Sequence, residues 1–443
     1  MKAQGIGLFS AEETEKLKIW ADLNMNLIKN GLQSKKNTRW KFLPIIIVIT
    51  LYLVLMGVWF SSKDAYGNDY LAFWGAGKLA SEKGYAAVYD LDSLNKIQVQ
   101  ELRRVNGNSQ LIIPTLPAAV FSVFILPFQI LSKLSLDVSF WVWTTLNLAT
   151  LIIYLIFFHR KFCSEASSKV YYLLLLLCAF PVLDNFANGQ VEVFLLICVG
   201  EFVRNAVEDK PLLSGLWLGG LLLKPQILIL IIPVLLIMRW NKPLLGFLIS
   251  ASALLITSFC LSGISGFTGL LKLWTGYASG IATSSPEAML NWRMIALKLN
   301  TIFGTNLGWW IAAAGMLVTL AALFLLLRRR PVYGSPYWVL VMLGVFSATL
   351  ALTWHAHFHM ALAVLPLILF ASVNQQMPDH LTFWWVMLTP LAWVVVSLFG
   401  LLGGPSMGNL QGAVIALTGF AMNLVLFFTI VRIASRKEEI SQV

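Results

Sequence analysis

Five stretches of the chain carry side chains able to do chemistry. Asp69 stands in GNDYLAFW (residues 67–74), close behind the almost wholly apolar stretch 42–60. A carboxylate there can cap a helix starting at Tyr70 or act as a general base, and the two roles are compatible. Lys224 interrupts LLLKPQILIL (221–230). A lysine inside an apolar run costs about 2.5–3.5 kcal/mol on insertion scales, so it either snorkels to the interface or meets an anion such as phosphate. His355, His357 and His359 follow one another in WHAHFHM (354–360). On a helix, His355 and His359 share a face and His357 points elsewhere. Structural histidines at an interface remain an alternative to histidines facing phosphate or hydroxyl. A zinc pair would want a third ligand, and no HExxH-type acid accompanies it. Asn188 and Gln190 flank Gly189 ahead of VEVFLLICV, and Asn291 and Arg293 lie in MLNWRMIAL. The amides either end a helix or match sugar hydroxyls. The arginine is either a surface residue or a fork for phosphate.

The elements that must position these residues are membrane helices. Of 443 residues, 58% are hydrophobic and 12% charged, against about 45–50% and about 25% in soluble chains. The fold class expected is an all-α polytopic integral membrane protein. The net charge of +11 is clustered between apolar runs, as the positive-inside rule requires, and no zinc-finger spacing or soluble basic domain suggests nucleic acid. Cys163, Cys178, Cys198 and Cys260 form no close pair, so neither a disulfide framework nor a thiolate metal site is indicated.

Candidate spans are 42–60, 111–131, 138–158, 170–183, 190–204, 212–239, 243–262, 308–327, 336–354, 358–373, 383–402 and 411–432. Basic clusters at 35–41, 159–161, 239–242, 328–330 and 432–437 are assigned to the cytoplasm. Parity then makes 111–131, with Pro114, Pro117 and Pro127, a re-entrant or interfacial piece. It also makes 212–239 a tight helical hairpin broken at Lys224-Pro225. About twelve spans result. Residues 1–41 are expected as a cytoplasmic amphipathic segment, with capping-box Ser10 and Glu13 and a stripe of Leu17, Trp20, Leu23, Leu27 and Ile28. Residues 42–433 form one transmembrane domain and 434–443 a cytoplasmic tail. The outer loops are 61–110, with two helices expected along the membrane surface and a break at Gly84, and 263–307.

With this topology every polar oddity falls at the outer face. One acid–base carboxylate, several phosphate-binding cations and amides for hydroxyls, at the outer face of a lipid-embedded protein, suggest a lipid-phosphate sugar as substrate.

Several stretches resemble glycosyltransferase family 87. They are NDYLAFWGAGKLASEKGYAAVYD (68–90), NGQVEVFLL (188–196), LSGLWLGGLLLKPQ (213–226), NWRM (291–294) and HFHMALAVLP (357–366). Two departures are IPTLP (113–117), where the family often has a Tyr-Pro-Pro-like start, and Met360, where it often has an acid near His357. The resemblance implies a GT-C-like fold and a polyprenyl-phosphate-sugar-dependent transferase of mannosyl or arabinofuranosyl type. It implies that Asp69 is the catalytic base and that His357 and Lys224 face the donor phosphate. Arg293, His355 and His359 complete the expected phosphate set. Asn68, Tyr70, Trp74, Asn188, Gln190 and Asn291 are expected to hold sugar or acceptor, with Trp74 or the Pro-rich piece walling a groove for the prenyl tail. The expected reaction moves one sugar, mannose by family precedent, to a hydroxyl of a glycolipid or glycan acceptor, with inversion and without metal or other cofactor. The expected location is a plasma membrane, with the site extracytoplasmic and both termini cytoplasmic. A lipid-linked sugar flippase and a ligase moving a whole glycan from a lipid carrier are the alternatives.

Overall fold

The computed structural model describes residues 42–54, 69–106, 115–162, 169–278, 289–403 and 407–441. Asn68 and the amphipathic segment 1–41 lie outside the described residues. The chain forms two compact units, Met1–Leu51 and Tyr52–Val443. Helix α1 (Phe42–Val54) begins in the first, and everything below concerns the second.

The second unit is helical, and among the described residues the one extended pairing is an isolated bridge between Met289 and His357. Among the described residues, five helices are long and apolar enough to cross a membrane: α5 (Leu136–Phe162), α11 (Asn241–Ala278), α13 (Leu307–Leu327), α16 (Asp379–Gly403) and α17 (Met407–Ser441). A sixth crossing arises if α6 (Lys169–Leu177) and α7 (Phe180–Ala187), bent by 49°, count as one. α17 runs on through residues 434–441, so the expected tail continues a helix. The remaining apolar helices are short, and they matter most for the site.

The centre is α14 (Pro336–Leu352), where every residue from Trp338 to Ala351 is buried. A helix apolar on all sides belongs inside a protein. Against it pack α13, α17, α10 (Leu228–Ile237) and α15 (Leu365–Val373), while α8 (Glu192–Val207) packs on α9 (Pro211–Leu218) and α15. α9 continues as a 3₁₀ turn to Leu223, and a second 3₁₀ turn from Pro225 leads into α10. Lys224 sits between them with φ −137° and ψ 75°. Proline cannot donate to a preceding turn and restricts the residue before it, so the helix breaks here. The two arms return to one place: Ser214 Oγ bonds the Tyr333 hydroxyl at 2.7 Å, and Trp240 packs on the Tyr333 ring at 5.3 Å. The stretch 212–239 is therefore a hairpin with Lys224 at its tip. Small residues let α11 pack along it. A Cβ on Gly215 would lie 1.9 Å from the Pro243 carbonyl oxygen, and one on Gly246 2.1 Å from that of Leu212. Such close approach of backbones is typical of small residues spaced four apart.

The structure corrects one expectation and adds detail to another. α2 (Asp69–Lys83) does not lie along a surface: Tyr70–Gly77, Leu79 and Ala80 are buried, and Gly77 abuts the backbone of α4 (Leu126–Leu131) so closely that a Cβ would meet the Phe128 oxygen at 2.2 Å. Residues 70–77 carry no charge, which leaves that half of the helix free to enter the core. α3 (Leu91–Asn106), after the break at Gly84, does keep one buried face with Leu94, Gln98 and Leu102. Second, the loop from 263 is largely helical. α11 kinks at Gly263 (φ 61°, ψ −168°) and continues to Ala278, a backbone conformation available essentially to glycine alone. The described part of the Pro-rich piece, from 115, is extended and then helical over Ser122–Leu131. Those helical turns reach about 15 Å, half the hydrocarbon thickness.

Candidate active site

Four chain breaks and one helix start meet at the end of the bundle opposite Tyr333. The first break separates α7 from α8. Gly189 takes φ 62°, and a Cβ there would strike Tyr70 Cβ at 2.6 Å, so only glycine lets the loop press against α2. The Tyr70 amide donates to the Asn188 carbonyl at 3.0 Å, and Gln190 Nε2 donates to Asp69 Oδ2. This ties the expected base to the expected amide across the core. Gln190 is itself buried, so its amide orients Asp69 from below.

The break after α14 holds the histidines, and here the helical spacing is wrong. α14 stops at Leu352, Thr353 turns extended (φ −69°, ψ 148°), and helical turns resume only at Phe358. In extended backbone, side chains alternate with period two. His355 and His357 therefore point the same way, with rings 4.7 Å apart, and His359, in the first helical turn, continues the row with its ring 5.5 Å from that of His357. The strand-like piece is held from the side by residues 289–291, with the Leu290 amide donating to the Ala356 carbonyl at 2.7 Å.

Around this row stand two carboxylates absent from the sequence reading. Asp184 Oδ2 accepts from the His359 amide and lies 3.1 Å from His359 Nδ1, while its Oδ1 accepts from Asn188 Nδ2 at 2.9 Å. Glu192, the first residue of α8, is fully buried; its Oε1 lies 3.3 Å from Lys224 Nζ and 3.6 Å from His359 Nε2. Lys224 is thus ion-paired rather than alone. The signal that pointed to Glu192 was Lys224 itself, since an intramembrane cation calls for a partner.

The site has an accessible layer and a buried layer. Asp69, Asp184, Asn188, Lys224, Gln226, His355 and His357 are half-buried, and Trp354 is exposed. Beneath lie Asn185, Gln190, Glu192, His359, Asn291 and Arg293. The Arg293 guanidinium packs on the Trp354 ring, 4.1 Å from its centroid.

Some expected substrate contacts are instead occupied within the protein. Asn291 caps α12 (Trp292–Phe303) by accepting from the Met294 amide at 3.0 Å, and it donates to the carbonyls of Thr353 and Trp354. Tyr70 is packed among Phe128, Phe140 and Trp143. Trp74 is buried and donates to the Leu134 carbonyl at 3.2 Å. His359 is enclosed between Asp184 and Glu192. The structure thus brings Asp69, Asn188, Gln190, Lys224, Arg293 and the three histidines to one site, and turns Tyr70, Trp74 and Asn291 into its supports.

His355 and His357 lie in the break between helical spans. Burial holds His357 below the usual histidine value and His359 adds to this, against the opposing charges of Asp69 and Asp184. Burial, with His357 and Lys224 adding to it, likewise lowers His355. Both are therefore neutral at pH 7. Among the described residues, no group of three or more His, Cys, Asp or Glu has the geometry to hold a metal ion.

An all-helical body with membrane-length apolar helices and a polar site built from helix breaks defines a polytopic membrane protein. A family model, glycosyltransferase family 87, matches residues 119–353, over half the chain. The protein belongs to that family and is a membrane glycosyltransferase. The matched segment holds Asp184, Asn188, Gln190, Glu192, Lys224 and Arg293; Asp69 and the histidine row lie outside it. No curated protein and no solved structure matches the chain.

Proposed function

We propose that the protein transfers one sugar, with mannose the first candidate, from a polyprenyl-phosphate donor to a hydroxyl of a glycolipid or glycan, with inversion. The observation that carries this reading is the meeting of Asp69 with Lys224, His355 and His357 on the accessible side of one site. Asp184 is a poor rival for the base, because both its oxygens are engaged by Asn188 and His359. Asp69 takes the proton of the acceptor hydroxyl as that oxygen bonds the anomeric carbon. The bond from that carbon to the phosphate oxygen breaks, and polyprenyl phosphate departs. Lys224 and Arg293 stabilise its growing charge, with His355 and His357 donating hydrogen bonds. Fixed charges act strongly in a site that partly excludes water. Asn188, with Gln190 holding Asp69, faces the sugar and acceptor hydroxyls.

The depth of the site fits a lipid-linked phosphate. α13 spans about 31 Å at ~1.5 Å per residue, close to the hydrocarbon thickness of about 30 Å. Trp309 and Trp310 stand at its start and Arg328–Arg330 follow its end. Tryptophans favour the membrane–water interface and arginines the cytoplasmic side. Trp354, at the rim of the site, stacks on Trp309 with centroids 6.3 Å apart. This supports a site at headgroup level on the side away from the arginines, hence extracytoplasmic in a plasma membrane with cytoplasmic termini. A GT-C-like arrangement with about twelve membrane segments, several of them short, remains our reading of the chain.

The test is incubation of purified protein with polyprenyl-phosphate-mannose and candidate glycolipid acceptors, followed by mass analysis. Free polyprenyl phosphate and an acceptor heavier by one sugar are expected. An intact donor moved between leaflets, or a whole glycan transferred, overturns the proposal.

A further inference from the structure

We propose that Glu192 is a positioning residue that aims Lys224 at the departing phosphate; this rests on the transfer reaction proposed above. Glu192 is held on every side. Its Oε2 accepts from the Val191 amide at 3.0 Å, its own amide donates to Asn185 Oδ1 at 3.2 Å, and its Oε1 faces both Lys224 and His359. Asp184, His359, Glu192 and Lys224 thus form one chain of contacts, at 3.1, 3.6 and 3.3 Å in turn. The outer two keep 22% and 16% of their side-chain surface, and the inner two 4% and 0%.

Lysine is a point charge on a flexible four-carbon stem. Lys224 stands at a helix break, where no regular turn fixes its side chain. An ammonium has three donors. Glu192 Oε1, 3.3 Å away, holds the ammonium from the buried side as an ion pair without a hydrogen bond, so its donors remain free for the departing phosphate. The carboxylate never meets substrate in this arrangement. It sets where the cation stands, and a misplacement of about 1 Å in such a site costs on the order of 10²-fold in rate.

The experiment uses the full chain as wild type, Glu192→Gln, Glu192→Asp, Lys224→Met and the Glu192→Gln/Lys224→Met pair. It reads kcat and donor KM, with thermal unfolding as the fold control. Acylation of Lys224 by trace acetic anhydride, followed by peptide mass analysis, is read in parallel. Glu192→Gln is expected to lower kcat by roughly 30–100-fold with donor KM within about threefold. The double variant is expected within about twofold of Lys224→Met, because a residue acting through another adds no loss once that residue is gone. Lys224 is expected to acylate at least about fivefold faster in Glu192→Gln, having lost the carboxylate 3.3 Å away that holds its amine in the site. Multiplying losses in the double variant indicate a role through His359 or the fold alone and overturn the proposal, as does unchanged labelling. If Glu192→Gln does not fold, Glu192→Asp keeps the charge at shorter reach. Slow labelling with kcat down about tenfold then supports the proposal, and wild-type kcat overturns it. A wild type inactive with every polyprenyl-phosphate sugar rejects the reaction, while the labelling comparison still judges the ion pair.

Discussion

The two ends of α8 use the same residue types for opposite ends. At the Val207 end, Arg204 forks onto Glu201 three residues earlier and reaches Glu208 four residues later at 3.1 Å. Lys161 and Lys210 close on Glu208 at 2.9 and 2.8 Å with their side chains about half exposed. At the Glu192 end, the pairs join residues far apart: Gln190 to Asp69 across 121 positions, and His359 to Asp184 across 175. The first arrangement follows mainly from helical spacing, and its two lysines stand about half in solvent, where such pairs contribute little. The second exists only once five chain segments have met. Its charges are desolvated, so losing one partner leaves another uncompensated. One end can be read from local spacing alone; the other depends on the tertiary fold.

Substitutions should break along that line. The largest effect is expected at Asp69. Asp69→Asn keeps the shape and can still bond Gln190, but it cannot take a proton. Transfer should fall by at least 10²–10⁴-fold, the usual contribution of a positioned base, with expression and donor binding largely intact. Rate assays beside a donor-binding measurement check this, and substantial residual turnover would remove Asp69 from the base role. Next is Lys224→Met, which deletes a cation that faces charge developing on the leaving group. A loss of about 10²–10³-fold in kcat is expected, by analogy with removal of one oxyanion donor. An equal loss from Glu208→Gln would erase the distinction between the two ends.

Much of the second end could be read from the residues in isolation. Lys224-Pro225 broke the apolar run as expected, because proline acts on its immediate neighbours and needs no tertiary context. Asp69, Asn188 and the histidines were visible as polar residues in apolar surroundings. Glu192 and Asp184 were not, because each has a bland local explanation: an acid in a first helical turn suits the helix dipole, and Asp184 stands four residues before Asn188, an ordinary helical pair. The histidine row was misjudged for a related reason. Spacing of 2 and 4 fits either a helix or an extended strand, and only the pairing of residues 289–291 with 353–357 decides between them. The burial of α2 depends likewise on a glycine contact with a segment some fifty positions away.

The next expected effect is in the pH dependence. Burial lowers His355 and His357 below the usual 6.5, so neither changes charge between pH 6.5 and 8. Transfer should vary less than about twofold across that range on their account. Below 6.5 the unfolded chain binds protons that these two folded residues refuse, so stability declines as pH falls. A rate step near pH 6.5 that disappears in His357→Gln would put a charged histidine at the phosphate and blur the division between neutral row and fixed cations.

The smallest effect belongs to the other end. Hydrogen bonds from Lys210 and Lys161 hold the Glu208 carboxyl at about 2, against its ordinary 4.5. Its folded value is the lower one, so its contribution is present above pH 4.5 and is lost as pH falls toward 2. Because the lysines are about half exposed, solvent screening limits that contribution to about 1 kcal/mol or less. Glu208→Gln should therefore lower the melting temperature in detergent by only about 1–2 °C at pH 7, with the difference shrinking as the buffer is acidified below 4.5. Transfer should not change. Added salt should narrow the gap further, whereas it should change the loss in Lys224→Met less, because that lysine is mostly buried against the fully buried Glu192. A large salt effect at Lys224 would mean that the two ends of α8 are solvated alike.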